Sequence, residues 1–182
     1  MIITVSGRAG AGKSTLAKAL AHRLRLKRYS SGDLQREIAR EKGISLLDLS
    51  RLEEKSDEID VLVDKRTAAL GKTEDNFVID GRLTFHFIPH ATLKIFLDAD
   101  IRERARRIFR DRREGDSYKD VAETIKAIGL REASEKKRYR KYYGLDYTDP
   151  GNFDMVIDTT AATPEKTMQK VLDELRRRGF VG

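Results

Sequence analysis

Apolar residues along the chain fall into two alternating patterns, short near-continuous runs and longer stretches with a helical repeat. The runs lie at Ile2 to Val5, Lys27 to Tyr29, Phe77 to Ile79, Leu93 to Leu97 and Met155 to Ile157. Such runs read as strands covered on both faces, the position strands take in a parallel sheet with helical crossovers. The expected class is α/β, with a five-stranded parallel sheet and helices on both of its faces.

Leu16, Leu20 and Leu24 recur at every fourth position with Ala17 and Ala21 beside them, which predicts a first helix from Ser14 to Leu24 with a small-residue face for the sheet. A last helix is predicted after Thr163 as N-cap and Pro164 at the first helical position. Its apolar stripe is Met168, Val171, Leu172 and Leu175, and Arg176 to Arg178 sit favourably at its C-terminal dipole end. Two further helical stretches, about 33–70 and about 101–143, carry no strand pattern. With no repeat, low-complexity segment or Pro/Gly/Ser linker, they read as helical insertions on one domain spanning 1–182.

Composition narrows the chemistry. The absence of cysteine removes disulfides, thiolate metal clusters and a cysteine nucleophile, and three histidines leave little for a histidine-rich metal site. A formal net charge of +7 arises from 37 basic and 30 acidic residues, a mixture that suits a solvated, ion-paired surface and anionic small ligands. Seven arginines between Arg102 and Arg113 raise the alternative of a nucleic-acid contact, but only Phe109 interleaves them as a base-stacking platform would require. Asn and Gln together occur four times, as in heat-adapted compositions. No apolar run approaches the roughly 18 residues that cross a bilayer, and no leader-like segment precedes the first strand, so a cytoplasmic protein without a membrane partner is expected.

The segment Gly7-Arg8-Ala9-Gly10-Ala11-Gly12-Lys13-Ser14 fits G-x-x-x-x-G-K-[ST] between a predicted strand and a predicted helix. Glycines let successive amides turn inward as an anion nest, the helix N-terminus adds positive charge, and Lys13 reaches the terminal phosphates of a nucleoside triphosphate. Ser14 is placed to ligate Mg²⁺, and Thr15 completes the ATP-binding run. The fold this implies is that of the P-loop NTPases. Arg104 and Arg107, on adjacent turns of one charged helix, are candidates for the ATP side.

Two segments follow strands on the edge where ligands bind in an open parallel sheet, Ser30-Ser31-Gly32-Asp33-Leu34-Gln35-Arg36-Glu37 and Val78-Ile79-Asp80-Gly81-Arg82. Arg36 and Arg82 suit a phosphate monoester because guanidinium pairs bidentately with phosphate oxygens. Asp80 is a candidate to hold Mg²⁺ through water, with a structural hydrogen bond to the neighbouring loop as the alternative. Arg131, Glu135 and Arg138 stand at i, i+4 and i+7, two guanidinium groups flanking a carboxylate on one helical face.

With these residues in place, the chain resembles nucleoside monophosphate kinases, most closely the short cytidylate kinases of archaea. The resemblance covers nearly the whole chain and rests on Gly7 to Thr15, Ser31-Gly32-Asp33 with Arg36-Glu37, Asp80-Gly81-Arg82, Arg104-Ala105-x-Arg107, and Arg131-Glu132-x-Ser134-Glu135-x-Lys137-Arg138-Tyr139 with Tyr143-Gly144. It implies that Ser31 and Arg36 help hold the acceptor monophosphate, that Arg82 contacts its phosphate, and that Arg131, Glu135 and Arg138 come from a mobile lid; Gly115, Gly129 and Gly144 are candidate hinge points for its closure. Adenylate kinases usually continue Asp-Gly with Phe-Pro-Arg, whereas here Asp80-Gly81 leads into Arg82-Leu83-Thr84; bacterial cytidylate kinases carry an Asp where Leu83 stands. The implied activity is transfer of the ATP γ-phosphoryl group to CMP or dCMP, with Mg²⁺ as cofactor, by a monomer. The alternatives are another small-molecule kinase, including adenylate kinase, and a nucleic-acid-binding P-loop protein.

Overall fold

The computed structural model describes residues 1–44, 52, 56, 58–111 and 118–182. Strand β1 (Ile2–Gly7) lies at the centre of the sheet, paired in parallel with β3 (Phe77–Asp80) on one side and β4 (Leu93–Asp98) on the other. β2 (Lys27–Ser30) adds to β3 and β5 (Met155–Asp158) adds to β4, giving the order β2-β3-β1-β4-β5 with every pairing parallel. Five runs predicted as strands are thus the five strands among the described residues, the first extending two residues beyond its expected end and the others one.

Both faces of the sheet are covered, which explains the lack of polar alternation. On one face Ile3, Val5, Val78, Leu93, Ile95 and Leu97 pack against Leu16 and Leu20 of α1 (Lys13–Leu24) and Val171, Leu172 and Leu175 of α7 (Pro164–Arg177). Each such side chain, fully buried, contributes about 1.5–3 kcal/mol. Thr163 caps α7 as expected, its hydroxyl accepting from the Lys166 amide at 3.2 Å. On the other face Phe77 and Ile79 meet Ile88 and Leu70, while Phe96 meets Phe85, Tyr139 and the fully buried Tyr147.

Among the described residues, each predicted helical stretch contains two helices. The first contains α2 (Ser31–Glu41) and α3 (Glu58–Thr73), packed together through Ile38, Ala39, Ile59 and Val63. After β3 comes a single turn, α4 (Thr84–Phe87). The second stretch contains α5 (Ile101–Arg110) and α6 (Val121–Tyr143), whose starts are set by side-chain caps. Asp100 accepts from the Arg102 amide at 2.9 Å and Asp120 from the Glu123 amide at 2.7 Å, satisfying donors that a helix N-terminus leaves open. Of the expected hinges, Gly129 lies inside the unbroken α6, Gly144 caps its C-terminus with φ 67°, and Gly115 lies outside the described residues. Parallel pairing brings the C-terminal ends of β1, β2, β3 and β4 to one edge of the sheet, where Gly7, Ser30, Asp80 and Asp98 stand together.

Candidate active site

The segment from Gly7 to Ser14 wraps from β1 into α1 at this edge. Gly10 has φ 76°, and a Cβ there would stand 2.6 Å from the Arg104 carbonyl oxygen, so the position requires glycine twice over. Lys13, the first residue of α1, folds back and donates from Nζ to the Arg8 carbonyl at 2.8 Å. Burial, and then the nearby Arg82 guanidinium, hold the Lys13 ammonium well below the usual lysine range. Ala11 is fully buried and Thr15 faces outward on the first turn of α1.

Asp80 organises the floor of the site. Its Oδ2 accepts from the Ser14 hydroxyl at 2.7 Å and the Ser30 hydroxyl at 3.2 Å, and its Oδ1 from Arg28 at 2.8 Å. Ser31 donates to the Asp80 backbone carbonyl at 3.3 Å. Gly81 follows in a space that admits no side chain, since a Cβ would lie 2.3 Å from the Ser31 hydroxyl oxygen. A hydroxyl and a carboxylate this close, at the mouth of an anion nest, are the oxygen donors that Mg²⁺ takes beside phosphate oxygens and water. The residues present therefore fit a nucleotide-bound Mg²⁺, although Asp80 also makes the structural bonds that the sequence left as the alternative. No cluster of three or more His, Cys, Asp or Glu side chains forms a self-sufficient metal site among the described residues.

Arg82 lies across the start of the phosphate loop. It donates to the Gly7 carbonyl at 3.2 Å and to Glu135 of α6 at 2.9 Å. Glu135 is 3% exposed and is shared by Arg82, Arg131 at 3.0 Å and the Tyr147 hydroxyl at 3.3 Å. Burial alone raises a carboxyl; the two guanidinium groups outweigh it and hold Glu135 down at about 2. Arg138, one turn on, does not join Glu135 but pairs with Asp60 of α3. The predicted face is therefore real, with its members divided between the phosphate loop and α3. Arg36 pairs with Asp33 of its own helix and stands partly exposed.

Arg104 and Arg107 turn inward and grip the loop from behind. Arg104 is 4% exposed and donates to the carbonyls of Ala99 at 2.9 Å and Ala9 at 3.3 Å and to Glu132 at 2.6 Å. Arg107 donates to the Thr159 carbonyl at 2.7 Å and touches the Gly10 carbonyl at 3.5 Å. The described part of the arginine run is thus not a single-sign stripe, because these two face inward, Arg106 pairs with Glu103 and Arg110 with Asp111; Arg112 and Arg113 lie outside the described residues.

Several residues here had no role assigned from the sequence. Glu132 bridges Arg8 and Arg104, Arg28 reaches Asp80 from the edge strand, and Asp60 and Asp64 of α3 meet Arg138 and Tyr143 of α6. The i, i+4 spacing of Asp60 and Asp64 was a legible one-face signal, but nothing local says what the face meets. A cavity of about 450 Å³ lies at the foot of α2 and α3, lined by Arg28, Tyr29, Leu34, Arg66 and Leu70 among others. Ser30 and Asp33 also line it, so it adjoins the Asp80 end of the site through Arg28 and Ser30, on the face of α3 opposite Asp60 and Asp64.

A nucleotide-binding loop at the head of a parallel sheet, a Ser–Asp pair at its mouth and arginines delivered by two separate segments define a P-loop kinase. The chain belongs to the cytidylate kinase-like family, whose model matches residues 2–161. It is 42% identical over 165 residues to a cytidylate kinase of Pyrococcus horikoshii, covering 91% of this chain and 83% of that one. A cytidylate kinase of Methanobrevibacter smithii is 39% identical over 176 residues, 97% of this chain and 99% of the other. In fold it is similar to shikimate kinases from Bacteroides thetaiotaomicron, with TM-score 0.70 at 18% identity over 97% of this chain and 98% of that one, and from Aquifex aeolicus, with TM-score 0.60 at 18% identity over the whole of both. Among the described residues no helix is long and apolar enough to cross a membrane.

Proposed function

We propose that the protein is a nucleoside monophosphate kinase that transfers the γ-phosphoryl group of ATP to CMP or dCMP, giving ADP and CDP or dCDP. The observation that carries this reading is the convergence of Lys13, Arg82 and the Glu135-held Arg131 on a phosphate loop, in a chain whose relatives over nearly its full length are cytidylate kinases. Two polyanions must be brought into line for such a transfer, and three cations around one loop offset their repulsion.

The acceptor phosphate is already an anionic nucleophile, so no general base is required. The amides of Gly7 to Ser14 hold the triphosphate, Lys13 exchanges its bond to the Arg8 carbonyl for the terminal phosphates, and Arg82 faces the acceptor phosphate. Ser14 and Asp80 would hold the Mg²⁺ of the nucleotide, which would supply charge to offset that of the phosphates. Ser31 and Arg36 support the acceptor from α2. In this reading α2 and α3 form the acceptor arm, α5 and α6 the lid that bears Arg131 and Arg138, and Arg104 and Arg107 shape the ATP side by fixing loop carbonyls. Closure over both substrates excludes water, so ATP is not wasted by hydrolysis. The protein acts as a cytoplasmic monomer.

The test is ADP formation from Mg-ATP with CMP, dCMP, UMP, AMP and GMP side by side and Lys13→Ala as control. Stimulation by CMP or dCMP supports the reading. Selective stimulation by AMP reassigns the acceptor, and stimulation by none of the five overturns the nucleoside monophosphate assignment.

A further inference from the structure

The cleft between α3 and α6 has a chemical direction. Near the phosphate loop stand cations, Lys13, Arg82 and Arg131. Farther along α6 the character changes. Arg138 pairs with Asp60, and Tyr143 donates its hydroxyl to Asp64 on the next turn of α3. Tyr143 sits eight residues beyond Glu135, about 12 Å along the helix axis, a span comparable to that of a nucleotide from its phosphate to its base.

The surroundings of Asp64 are equally specific. The Tyr143 ring lies 5.5 Å from Phe87 and 5.7 Å from His86, both on α4, so an aromatic wall stands beside the carboxylate. The rest of α3 is committed elsewhere: Ile59 and Val63 pack on α2, and Arg66 pairs with Glu37 and Glu41. The Asp60–Asp64 face is therefore the one that α3 turns toward the cleft. Two neighbouring carboxylates would repel a phosphate, so this end of the cleft suits the uncharged end of a nucleotide. Burial and the neighbouring Asp60 push the Asp64 carboxyl up to about 7, against the pull of the Tyr143 hydrogen bond and Arg138.

We infer that Asp64 is a specificity-determining residue of the acceptor site: the acceptor base enters between α3 and α6, replaces the Tyr143 hydroxyl, and donates its exocyclic amino group to the Asp64 carboxylate. The inference rests on the nucleoside monophosphate kinase reading and adds the substrate class, bases bearing an amino group at this edge. Uracil presents a carbonyl oxygen there, and two acceptors facing one another out of water are strongly disfavoured. Asp60 keeps Arg138 on the arm side of the cleft, next to the acceptor.

The experiment is a cycle between protein and substrate. Values of kcat/KM are measured for wild type, Asp64→Asn and Asp64→Ala with CMP, UMP and the CMP analogue that lacks the 4-amino group. Wild type is expected to lose about 10- to 100-fold on deletion of the amino group, the scale of a hydrogen bond to a charged partner. Asp64→Ala should treat CMP and the analogue alike. Asp64→Asn, whose amide can donate to a carbonyl, should shift the CMP-to-UMP ratio toward UMP by about tenfold or more. Direct binding of CMP and the analogue to wild type and to the better-folded variant repeats the cycle without turnover. If amino-group deletion costs the same with and without the Asp64 side chain, Asp64 does not read the base, although the kinase reading stands. If wild type neither binds nor phosphorylates CMP, the kinase reading fails and takes the inference with it.

Discussion

Glu132 on α6 accepts from Arg8 of the phosphate loop at 2.9 Å and, through its other oxygen, from the buried Arg104 at 2.6 Å. One carboxylate thereby ties the long helix to the loop and to α5. Arg8 is held from the other side by Asp98 at 3.1 Å, so the network runs unbroken from the end of β4 to α6.

Removing this carboxylate leaves Arg104 a buried charge without its ion-pair partner. Glu132→Ala is expected to destabilise the fold by about 3 kcal/mol, the scale for breaking a buried pair from one side. At this chain length that lowers Tm by about 6–12 °C, measurable by calorimetry. A change under 2 °C, by the same conversion, would mean that Arg104 is satisfied by the Ala9 and Ala99 carbonyls alone.

Lys13 gives a prediction with a definite sign. Its ammonium is held below the usual range by burial and by Arg82, and bound phosphates favour the charged form. ATP binding should therefore take up a proton between the depressed and the ordinary lysine values, and affinity should weaken as pH rises through that window. Calorimetric titrations in Tris and in HEPES will differ in apparent enthalpy if a proton is taken up; equal enthalpies would show that Lys13 is already fully charged. Lys13→Ala should keep the fold and reduce turnover by about 10² to 10⁵.

Glu135 predicts an acid transition. Its folded value of about 2 lies below the unfolded carboxylate value, so its contribution to stability is fully present above about pH 4.5 and is lost as pH falls toward 2. Urea midpoints between pH 5 and pH 3 should fall for wild type and fall less steeply for Glu135→Gln, which starts from a lower stability. Parallel slopes in the two proteins would place the acid sensitivity in other carboxylates.

Asp80→Asn separates the metal role from the structural one. The amide keeps a hydrogen-bond acceptor for Ser14 but loses charge toward Arg28 and toward a cation. The Mg²⁺ concentration giving half-maximal activity should rise by about 10- to 100-fold, while Ser30→Ala, which removes only one neutral bond to Asp80, should leave it nearly unchanged. An unaltered Mg²⁺ requirement in Asp80→Asn would assign Asp80 to structure alone.

Much of this molecule is written locally. The five strands follow from apolar runs of a few residues, and the phosphate loop from glycine positions such as Gly10, where φ and the nearby Arg104 backbone forbid a side chain. The Thr163 cap and the register of α1 are likewise decided within a turn of chain. These features depend on steric and hydrogen-bonding rules that act over short separations, so the sequence alone determined the sheet, the loop and the edge on which they meet.

Tertiary structure decided which charge meets which. Arg8 and Glu132 are 124 positions apart, Arg138 and Asp60 are 78 apart, and their pairing depends on how α3, α5 and α6 cross rather than on any spacing in the chain. The sequence showed Arg131, Glu135 and Arg138 on one helical face; packing gave Glu135 to Arg82 and Arg138 to Asp60. It also turned Arg104 and Arg107 from a charged surface run into clamps on loop carbonyls. Long charged side chains can swing through several ångströms, so their partners are fixed only when burial removes water as the competing partner.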